Sequence, residues 1–405
     1  MKTFVSFRVC FWILGTWVVV SVILIAWSLT EFTKYSTNSE LQDQGRLQHG
    51  EVDETPDPNK NYKKIILLWG ETFKKAMQLA NLRNGDFLDN FKCKSTSCEF
   101  TTDKSVLENA NAVIFDGNNL PESPPAKKKH HVWIFYSNEP PKRNARDNLK
   151  NWRNAFNLTM TYKRDSNIRF RLGNFTRRRQ SLSKKYNSCG SKKRSVAWIN
   201  DDCVTQSKRE EYVKQLQKHI KVDIFGKCGD YLNCSLSHGR QQKNGQHIDF
   251  SNDDRERTQT CMQHIEQHYR FYLSFEEQLC QDYVAPELFE TLQQDVIPVI
   301  RSGANLNALD APYSFINTKD FKTPARLAKY LNFLDKNPRK CDQYFEWKNK
   351  YIATANRAMF SGAHWCELCA KLNQAHGRRT FHTTLENWWA HNTNCRDPDD
   401  LYVLI

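Results

Sequence analysis

The chain of 405 residues lacks several features that would assign it to a common class of site. It has no glycine-rich phosphate-binding loop, which excludes a P-loop nucleotide-binding protein. No serine or cysteine is patterned with a histidine as an activated nucleophile, so nothing indicates covalent hydrolysis. Cys366 and Cys369 have the C-x-x-C spacing of half a zinc site, but no second such pair follows them. The sequence therefore predicts no metal site.

Acidic residues are also fewer than basic ones, 45 against 59, and the formal net charge is +14. Such a charge suits an anionic membrane or nucleic acid as a partner. Thirteen cysteines, however, are too many for a reducing cytosol without a metal, and they indicate an oxidising compartment. We therefore expect no nucleic-acid partner.

The N-terminus contains one long stretch without a charged residue, from Val9 to Leu29. At about 1.5 Å per residue it is roughly 31 Å long, the thickness of a hydrocarbon core. Lys2 and Arg8 precede it. We therefore predict that residues 1–8 form a cytosolic tail, that residues 9–29 form a type II transmembrane anchor, and that the rest of the chain is luminal. A cleaved signal peptide is the alternative, but the run is too long and lacks an Ala-x-Ala end. Residues 30–61 are polar with almost no apolar periodicity, which predicts a stem.

The remaining chain alternates strand-like and helix-like segments. This alternation predicts an α/β fold rather than an all-β one. The clearest strand and helix patterns are Lys63–Trp69, Ala112–Phe115, His131–Tyr136, Ser195–Ile199, Lys208–Ile220 and Val222–Gly229.

One stretch, Arg270 to Ile300, has the pattern of a βαβ unit. Phe271–Phe275 alternates as a strand does, Pro286 suits the first turn of a helix, and Val296–Ile300 suits a buried parallel strand. Ligands of such sheets bind at the carboxyl ends of strands and at helix N-termini. The stretch therefore predicts the pocket of a phosphate-bearing ligand.

Two residues have positions that suit catalysis or phosphate binding. Glu139 follows a predicted strand and precedes two prolines, where a carboxylate can act as a general base; a surface glutamate is the alternative. Arg209 lies near the start of a predicted helix, where a guanidinium can bind a phosphate; a solvated arginine is the alternative.

Several of these segments together resemble one known family. Phe275-Glu276, then Asp282-Tyr283-Val284, an apolar helix and Ile297-Pro298-Val299 resemble the donor-site signature of the α1,3-fucosyltransferases. Other segments that resemble this family, and its core type in part, are Phe91–Thr101, Ala155–Ile168, Ser195–Gly229, Pro312–Leu334 and Glu386–Cys395.

The resemblance implies two Rossmann-like domains in a GT-B arrangement behind the transmembrane helix. We expect an acceptor-side domain at 62–176, a basic linker at 177–194, a donor-binding domain at 195–365 and a cysteine-containing extension at 366–405. It also implies a Golgi membrane protein whose catalytic part is luminal, and leaves homo- or hetero-oligomers open.

The implied reaction transfers L-fucose from GDP-fucose to O3 of an N-acetylglucosamine on glycoprotein N-glycans, with inversion. The resemblance makes Glu139 the base and Arg209 a clamp on the diphosphate, with Glu276, Asp282 and Tyr283 in the donor pocket. No cofactor is obligate, and a divalent metal is compatible but not required.

The chain departs from the family pattern at its donor site. Asp201-Asp202 and Glu277 replace neutral residues, and Ala285-Pro286-Glu287 replaces Thr-Glu-Lys. The added carboxylates and the lost ammonium predict weaker diphosphate binding, on the order of a thousandfold. Arg301 is the only evident compensating cation in the sequence. The alternative function is therefore a catalytically inactive Golgi homologue that binds glycans or a partner enzyme.

Sequons and cysteines complete the set of expectations. Asn157, Asn174 and Asn233 begin N-glycosylation sequons. Cys93 and Cys98 are five residues apart, and we expect a local disulfide between them in an oxidising compartment; a metal-binding pair is the alternative. For Cys366 and Cys369 the family resemblance implies a disulfide setting.

Overall fold

The computed structural model describes residues 63–82, 88, 93, 97–141, 145–229, 242–243, 246–247, 253–309, 313–374, 385–390 and 395–401. They belong to one compact unit. None of the helices in these ranges is long and apolar enough to cross a membrane. The predicted transmembrane helix and stem lie outside the described residues.

The residues that the structure describes form fifteen strands and ten α-helices. The strands are β1 (Lys64–Trp69), β2 (Cys98–Thr101), β3 (Ala112–Asp116), β4 (Val132–Ser137), β5 (Leu158–Thr161), β6 (Ile168–Arg169), β7 (Gly173–Arg177), β8 (Arg194–Ile199), β9 (Val222–Phe225), β10 (Gln242–Lys243), β11 (Gln246–His247), β12 (Tyr269–Phe275), β13 (Ile297–Arg301), β14 (Ile316–Asn317) and β15 (Tyr351–Ala355). The helices are α1 (Glu71–Leu79), α2 (Ala145–Leu149), α3 (Ser188–Ser191), α4 (Arg209–Leu216), α5 (Asp253–His268), α6 (Pro286–Gln293), α7 (Pro324–Lys336), α8 (Pro338–Asp342), α9 (His364–Gln374) and α10 (Leu385–Ala390). Short 3-10 helices lie at Lys104–Asn109, Lys150–Trp152, Leu306–Ala308, Thr318–Asp320, Gln343–Asn349 and Asp399–Leu401.

Two parallel sheets form the framework, which confirms the α/β prediction. The first has the strand order β2-β1-β3-β4-β5-β6, and the second has β14-β13-β12-β8-β9. Central strands such as β3 are buried along their whole length, as strands covered on both faces must be. The predicted βαβ unit is β12, α6 and β13.

Segments from the two halves of the chain pack against each other. β7, which follows the first sheet in sequence, pairs antiparallel with β15, which follows the second. α9 returns to the first sheet, where Trp365 and Leu368 are buried in the same core as Phe100. The C-terminal segment therefore completes the core of the first half.

Two disulfide bonds link α9 to the first half of the chain. Cys93 is bonded to Cys366 and Cys98 to Cys369, so the predicted local bond between Cys93 and Cys98 is wrong. The reason is that Cys366 and Cys369 are one turn apart on α9, and residues at that spacing share one face of a helix. Three further bonds join Cys189 to Cys341, Cys203 to Cys228, and Cys280 to Cys395.

Candidate active site

A cavity of about 470 Å³ lies at the carboxyl ends of β8 and β12, as the sheet topology predicts. Glu139 and Pro140 reach it from the first half of the chain. Its other lining residues are Trp198, Ile199, Asp201, Asp202, Arg209, Lys227, Tyr272, Leu273, Ser274, Phe275, Glu276, Glu277, Gln278, Tyr283, Ala285 and Glu287. Most of the residues singled out in the sequence are therefore brought together here.

Glu139 is held by the turn that ends β4. The Ser137 hydroxyl donates a hydrogen bond to the Glu139 carbonyl oxygen at 2.8 Å, and Asn118 Nδ2 donates to the Pro140 carbonyl oxygen at 3.2 Å. Glu139 itself is exposed at the rim of the cavity. A carboxylate in this position is accessible to a substrate hydroxyl.

Arg209, the first residue of α4, is nine-tenths buried at the cavity wall. Its Nη1 donates to the Phe275 carbonyl oxygen at 2.8 Å, and its Nη2 donates to Asn200 Oδ1 at 2.8 Å and to Glu277 Oε1 at 3.1 Å. Its Nε is buried without a hydrogen-bond partner among the described residues. The guanidinium is thus fixed in place, and a carboxylate occupies one of its donor positions.

Glu276 lines the cavity but is only 4% exposed. Burial raises the pKa of its carboxyl to about 8, although the backbone N–H of Ala285, which donates to Glu276 Oε1 at 2.9 Å, acts in the opposite direction. Glu276 is therefore mostly neutral at pH 7. Burial, followed by the Glu276 carboxyl, raises the pKa of Tyr283 well above its usual value.

The cavity is acidic, with six carboxyl groups and two cations, Arg209 and Lys227, among its lining residues. Asp201 Oδ1 accepts a hydrogen bond from the Lys227 backbone N–H at 2.9 Å. Burial raises the pKa of Glu277, Arg209 lowers it, and the hydrogen-bonded Asp202 carboxyl raises it further. The structure thus clusters Asp201, Asp202 and Glu277 in the cavity.

Glu287 is in the cavity wall, and its carboxylate is paired with an arginine that the sequence analysis missed and that it shares with Glu290. Arg357 Nη2 lies 2.7 Å from Glu287 Oε1, and Arg357 Nε lies 2.6 Å from Glu290 Oε1. Arg357 follows β15, which lies next to α6 only in the folded chain. No local sequence pattern could therefore have identified Arg357 as the partner of Glu287. Pro286 and Glu287 are the first two residues of α6, as predicted, and Pro286 does not line the cavity.

Arg301 is not the compensating cation, and that prediction is wrong. Its side chain is 1% exposed, and it donates to the Asp400 carboxylate at 2.7 and 2.6 Å and to the Ser207 carbonyl oxygen at 2.8 Å. Its guanidinium also lies 5.1 Å from the Tyr212 ring centroid. Successive residues of a strand point to opposite faces, so a position at the end of β13 does not ensure that a side chain enters the cavity.

Asp282 also points away from the cavity. It has a left-handed backbone with φ of 65°, and its carboxylate accepts from the Arg164 backbone N–H at 3.2 Å and lies 3.2 Å from Arg164 Nε. Asp282 is therefore not among the residues that line the cavity, and its contact with the donor stays a prediction.

The sequons differ in accessibility. Asn157 is 3% exposed, and its Oδ1 accepts from the Trp133 backbone N–H and from Lys127 Nζ, both at 2.8 Å. A glycan on this buried side chain cannot be accommodated, which contradicts the prediction for Asn157. Asn174 is partly exposed on β7, and Asn233 lies outside the described residues.

Within the described ranges, no group of three or more His, Cys, Asp or Glu residues is arranged to hold a metal ion.

Comparisons of the sequence with family models and with curated proteins agree on one family. Residues 61–173 match the model "Fucosyltransferase, N-terminal", and residues 189–388 match "Glycosyltransferase family 10 (fucosyltransferase) C-term". The chain is 27% identical to alpha-(1,3)-fucosyltransferase C of Drosophila melanogaster over 92% of this chain and 87% of that protein. It is 30% identical to 4-galactosyl-N-acetylglucosaminide 3-alpha-L-fucosyltransferase FUT5 of Homo sapiens over 76% of each. A crystal structure of alpha1,3-fucosyltransferase with GDP-fucose is 14% identical, with a TM-score of 0.48 over 82% of this chain and 96% of that one.

Proposed function

The chain belongs to the glycosyltransferase family 10 fucosyltransferases, and we propose from this premise that it transfers L-fucose from GDP-fucose to O3 of an N-acetylglucosamine on glycoprotein N-glycans. The name of the human relative specifies a 3-α-L-fucosyl transfer to an N-acetylglucosaminide, which supports both the sugar and the linkage. The observation that carries the proposal is that Glu139 and Arg209, from different halves of the chain, line one cavity.

Glu139 is the proposed general base. In an inverting transfer, the acceptor hydroxyl attacks the anomeric carbon of fucose from the face opposite the GDP, and a carboxylate takes up the proton of that hydroxyl. Glu139 reaches the cavity from the first half of the chain, whereas the proposed diphosphate ligands come from the second half. This distribution supports acceptor binding on the first side and donor binding on the second.

Arg209 is the proposed diphosphate ligand. As the bond between fucose C1 and the phosphate oxygen breaks, negative charge accumulates on the GDP leaving group, and an adjacent guanidinium stabilises that charge. Lys227 is a second cation in the cavity. The GDP must displace Glu277 from Arg209, because that carboxylate lies 3.1 Å from Arg209 Nη2. We propose no obligate cofactor; a divalent metal remains compatible with the reaction.

We also propose the GT-B arrangement, a Golgi location and a type II membrane anchor at residues 9–29. The two parallel sheets and the cavity that both halves line support the first of these. The uncharged N-terminal stretch and the five described disulfide bonds support a luminal catalytic part.

One argument for the inactive alternative is weaker in the structure. It counted Glu287 as an uncompensated negative charge, but Arg357 lies 2.7 Å from that carboxylate and divides its charge between Glu287 and Glu290. The remaining obstacle to donor binding is the carboxylate pair Asp202 and Glu277, which is exposed and can rearrange.

The proposal is tested by measuring fucose transfer from GDP-fucose to an N-acetylglucosamine-terminated N-glycan. The enzyme is the full-length chain, purified in detergent. Glu139→Gln should lower kcat by about 10²- to 10⁴-fold, the usual contribution of a general base, and should leave GDP affinity in calorimetry unchanged. Glu122→Gln, at an exposed position in the same half, is the matched control. Wild-type protein that binds GDP but transfers no fucose to any N-glycan would contradict the proposed activity.

A further inference from the structure

A second, smaller pocket of about 220 Å³ adjoins the candidate cavity. Tyr283 lines the cavity, while its sequence neighbours Asp282 and Val284 line the pocket. The ring of Tyr162, another wall of the pocket, is centred 5.0 Å from the ring of Tyr283. The two spaces are therefore separated by the thickness of one segment of chain.

This pocket is basic, in contrast to the acidic cavity beside it. Arg169 and Arg171 line it together with one carboxylate, Asp282, which is already paired with Arg164. Arg169 Nε is buried without a hydrogen-bond partner among the described residues. Burial lowers the pKa of the Arg169 guanidinium, and the neighbouring Arg171 and Arg164 lower it further, while Asp282 acts in the opposite direction more weakly. An anion in the pocket would offset the charge of these arginines and satisfy the buried donor.

The other walls are aromatic and apolar. They include Tyr162, Phe170, Phe175 and Phe289. The volume is below the roughly 300–1,000 Å³ of pockets for drug-sized ligands, so it suits one ring or one charged group. Because Tyr162, Phe170 and Phe289 are at most 2% exposed, recognition depends on the forked guanidinium donors, which match a carboxylate or a sulfate on a sugar.

We propose that the pocket formed by Arg169, Arg171 and the adjoining aromatic side chains binds an anionic sugar of the acceptor glycan, next to the sugar that receives fucose. The shared chemistry is a carboxylate or sulfate group on a carbohydrate. This proposal rests on the fucosyl transfer proposed above, because it assigns the acceptor side of the same site. The pocket thereby selects acidic acceptors over neutral ones.

Direct binding to the full-length chain tests this selection without requiring turnover. The fluorescent probes are N-acetyllactosamine, the same sugar extended with glucuronate, the same sugar carrying a sulfate, and an acidic peptide without sugar. We expect the acidic sugars to bind at least about tenfold more tightly than the neutral one, since a hydrogen bond to a charged group is worth that factor or more. High salt should reduce the difference.

The Arg169→Gln/Arg171→Gln variant should lose the preference for acidic sugars and keep the Kd and KM of the neutral acceptor. Arg179→Gln, at an exposed position further along the chain, is the control and should change nothing. The Arg169→Lys/Arg171→Lys variant should retain part of the preference, which separates loss of charge from loss of folding. Asn174→Gln removes the sequon at the pocket wall, so that a glycan of the chain itself cannot account for the result.

Each outcome decides one proposal. Equal affinity of wild-type protein for the neutral and acidic sugars, or equal binding of the acidic peptide, overturns the anionic-sugar pocket. So does a glutamine double variant that keeps the preference. Transfer to neutral acceptors without any preference leaves the fucosyltransferase proposal intact, whereas selective binding without any transfer leaves the pocket intact and contradicts the activity.

Discussion

Glu277 Oε1 lies 3.1 Å from Arg209 Nη2, so the cation best placed to bind a donor diphosphate already has a carboxylate partner in this structure. The carboxyl of Asp202 is also hydrogen-bonded to Glu277. Donor binding therefore involves competition between two kinds of anion for one guanidinium. The Glu277 side chain is 56% exposed, which allows it to move into solvent when the diphosphate arrives.

Replacing Glu277 should strengthen donor binding. In Glu277→Asn the carboxylate is removed from Arg209, while the contacts of Arg209 with Asn200 and the Phe275 carbonyl oxygen remain. We expect GDP to bind roughly tenfold more tightly, because a negative charge near the phosphates is lost at a partly solvated site. Calorimetry of GDP binding measures the change, with Glu211→Gln, an exposed acid on α4, as the control. Unchanged or weaker GDP binding would show that Glu277 does not compete for Arg209.

Arg357 should support donor binding indirectly. In Arg357→Gln, Glu287 loses the partner that lies 2.7 Å from its carboxylate and becomes an unneutralised charge in the cavity wall. We expect GDP affinity to fall about tenfold. The double variant Arg357→Gln/Glu287→Gln should recover most of it, since the exposed carboxylate is then gone. If Arg357→Gln and the double variant bind GDP equally well, the charge of Glu287 has no influence on the donor.

Local patterns were sufficient to predict the parallel strands and the position of the cavity. A buried strand followed by a helix predicts where its carboxyl end lies, whereas Glu139, Arg209 and Glu277 were assigned to one site through the family resemblance. The partners of charged residues could not be predicted this way. Arg301 pairs with Asp400 and Glu287 with Arg357, and each pair depends on how distant segments pack.

The buried carboxyl of Glu276 should make stability depend on pH. Its pKa is about 8 in the folded chain, against a usual value of 4.5, so the folded state binds the proton more tightly than the unfolded state. The free energy of unfolding therefore falls as pH rises from about 4.5 to about 8, by no more than about 5 kcal/mol. Glu276→Gln should remove this contribution. Urea unfolding of both proteins between pH 5 and 9 should give curves that diverge with rising pH, with the wild type the less stable at pH 9; parallel curves would contradict a neutral Glu276.

The two disulfides of α9 should be required to keep the C-terminal segment on the first sheet. Cys98–Cys369 closes a loop with a sequence separation of 271, and removing a bond of this kind typically costs about 2–5 kcal/mol. We expect Cys98→Ala/Cys369→Ala to lower the melting temperature of the full-length chain and to increase proteolysis near α9, where Trp365 and Leu368 complete the core. Mass spectrometry of non-reduced peptides gives an independent check, because it should recover Cys93 linked to Cys366. A peptide containing a Cys93–Cys98 bond would instead restore the local pairing expected from the sequence and remove the reason for the stability loss.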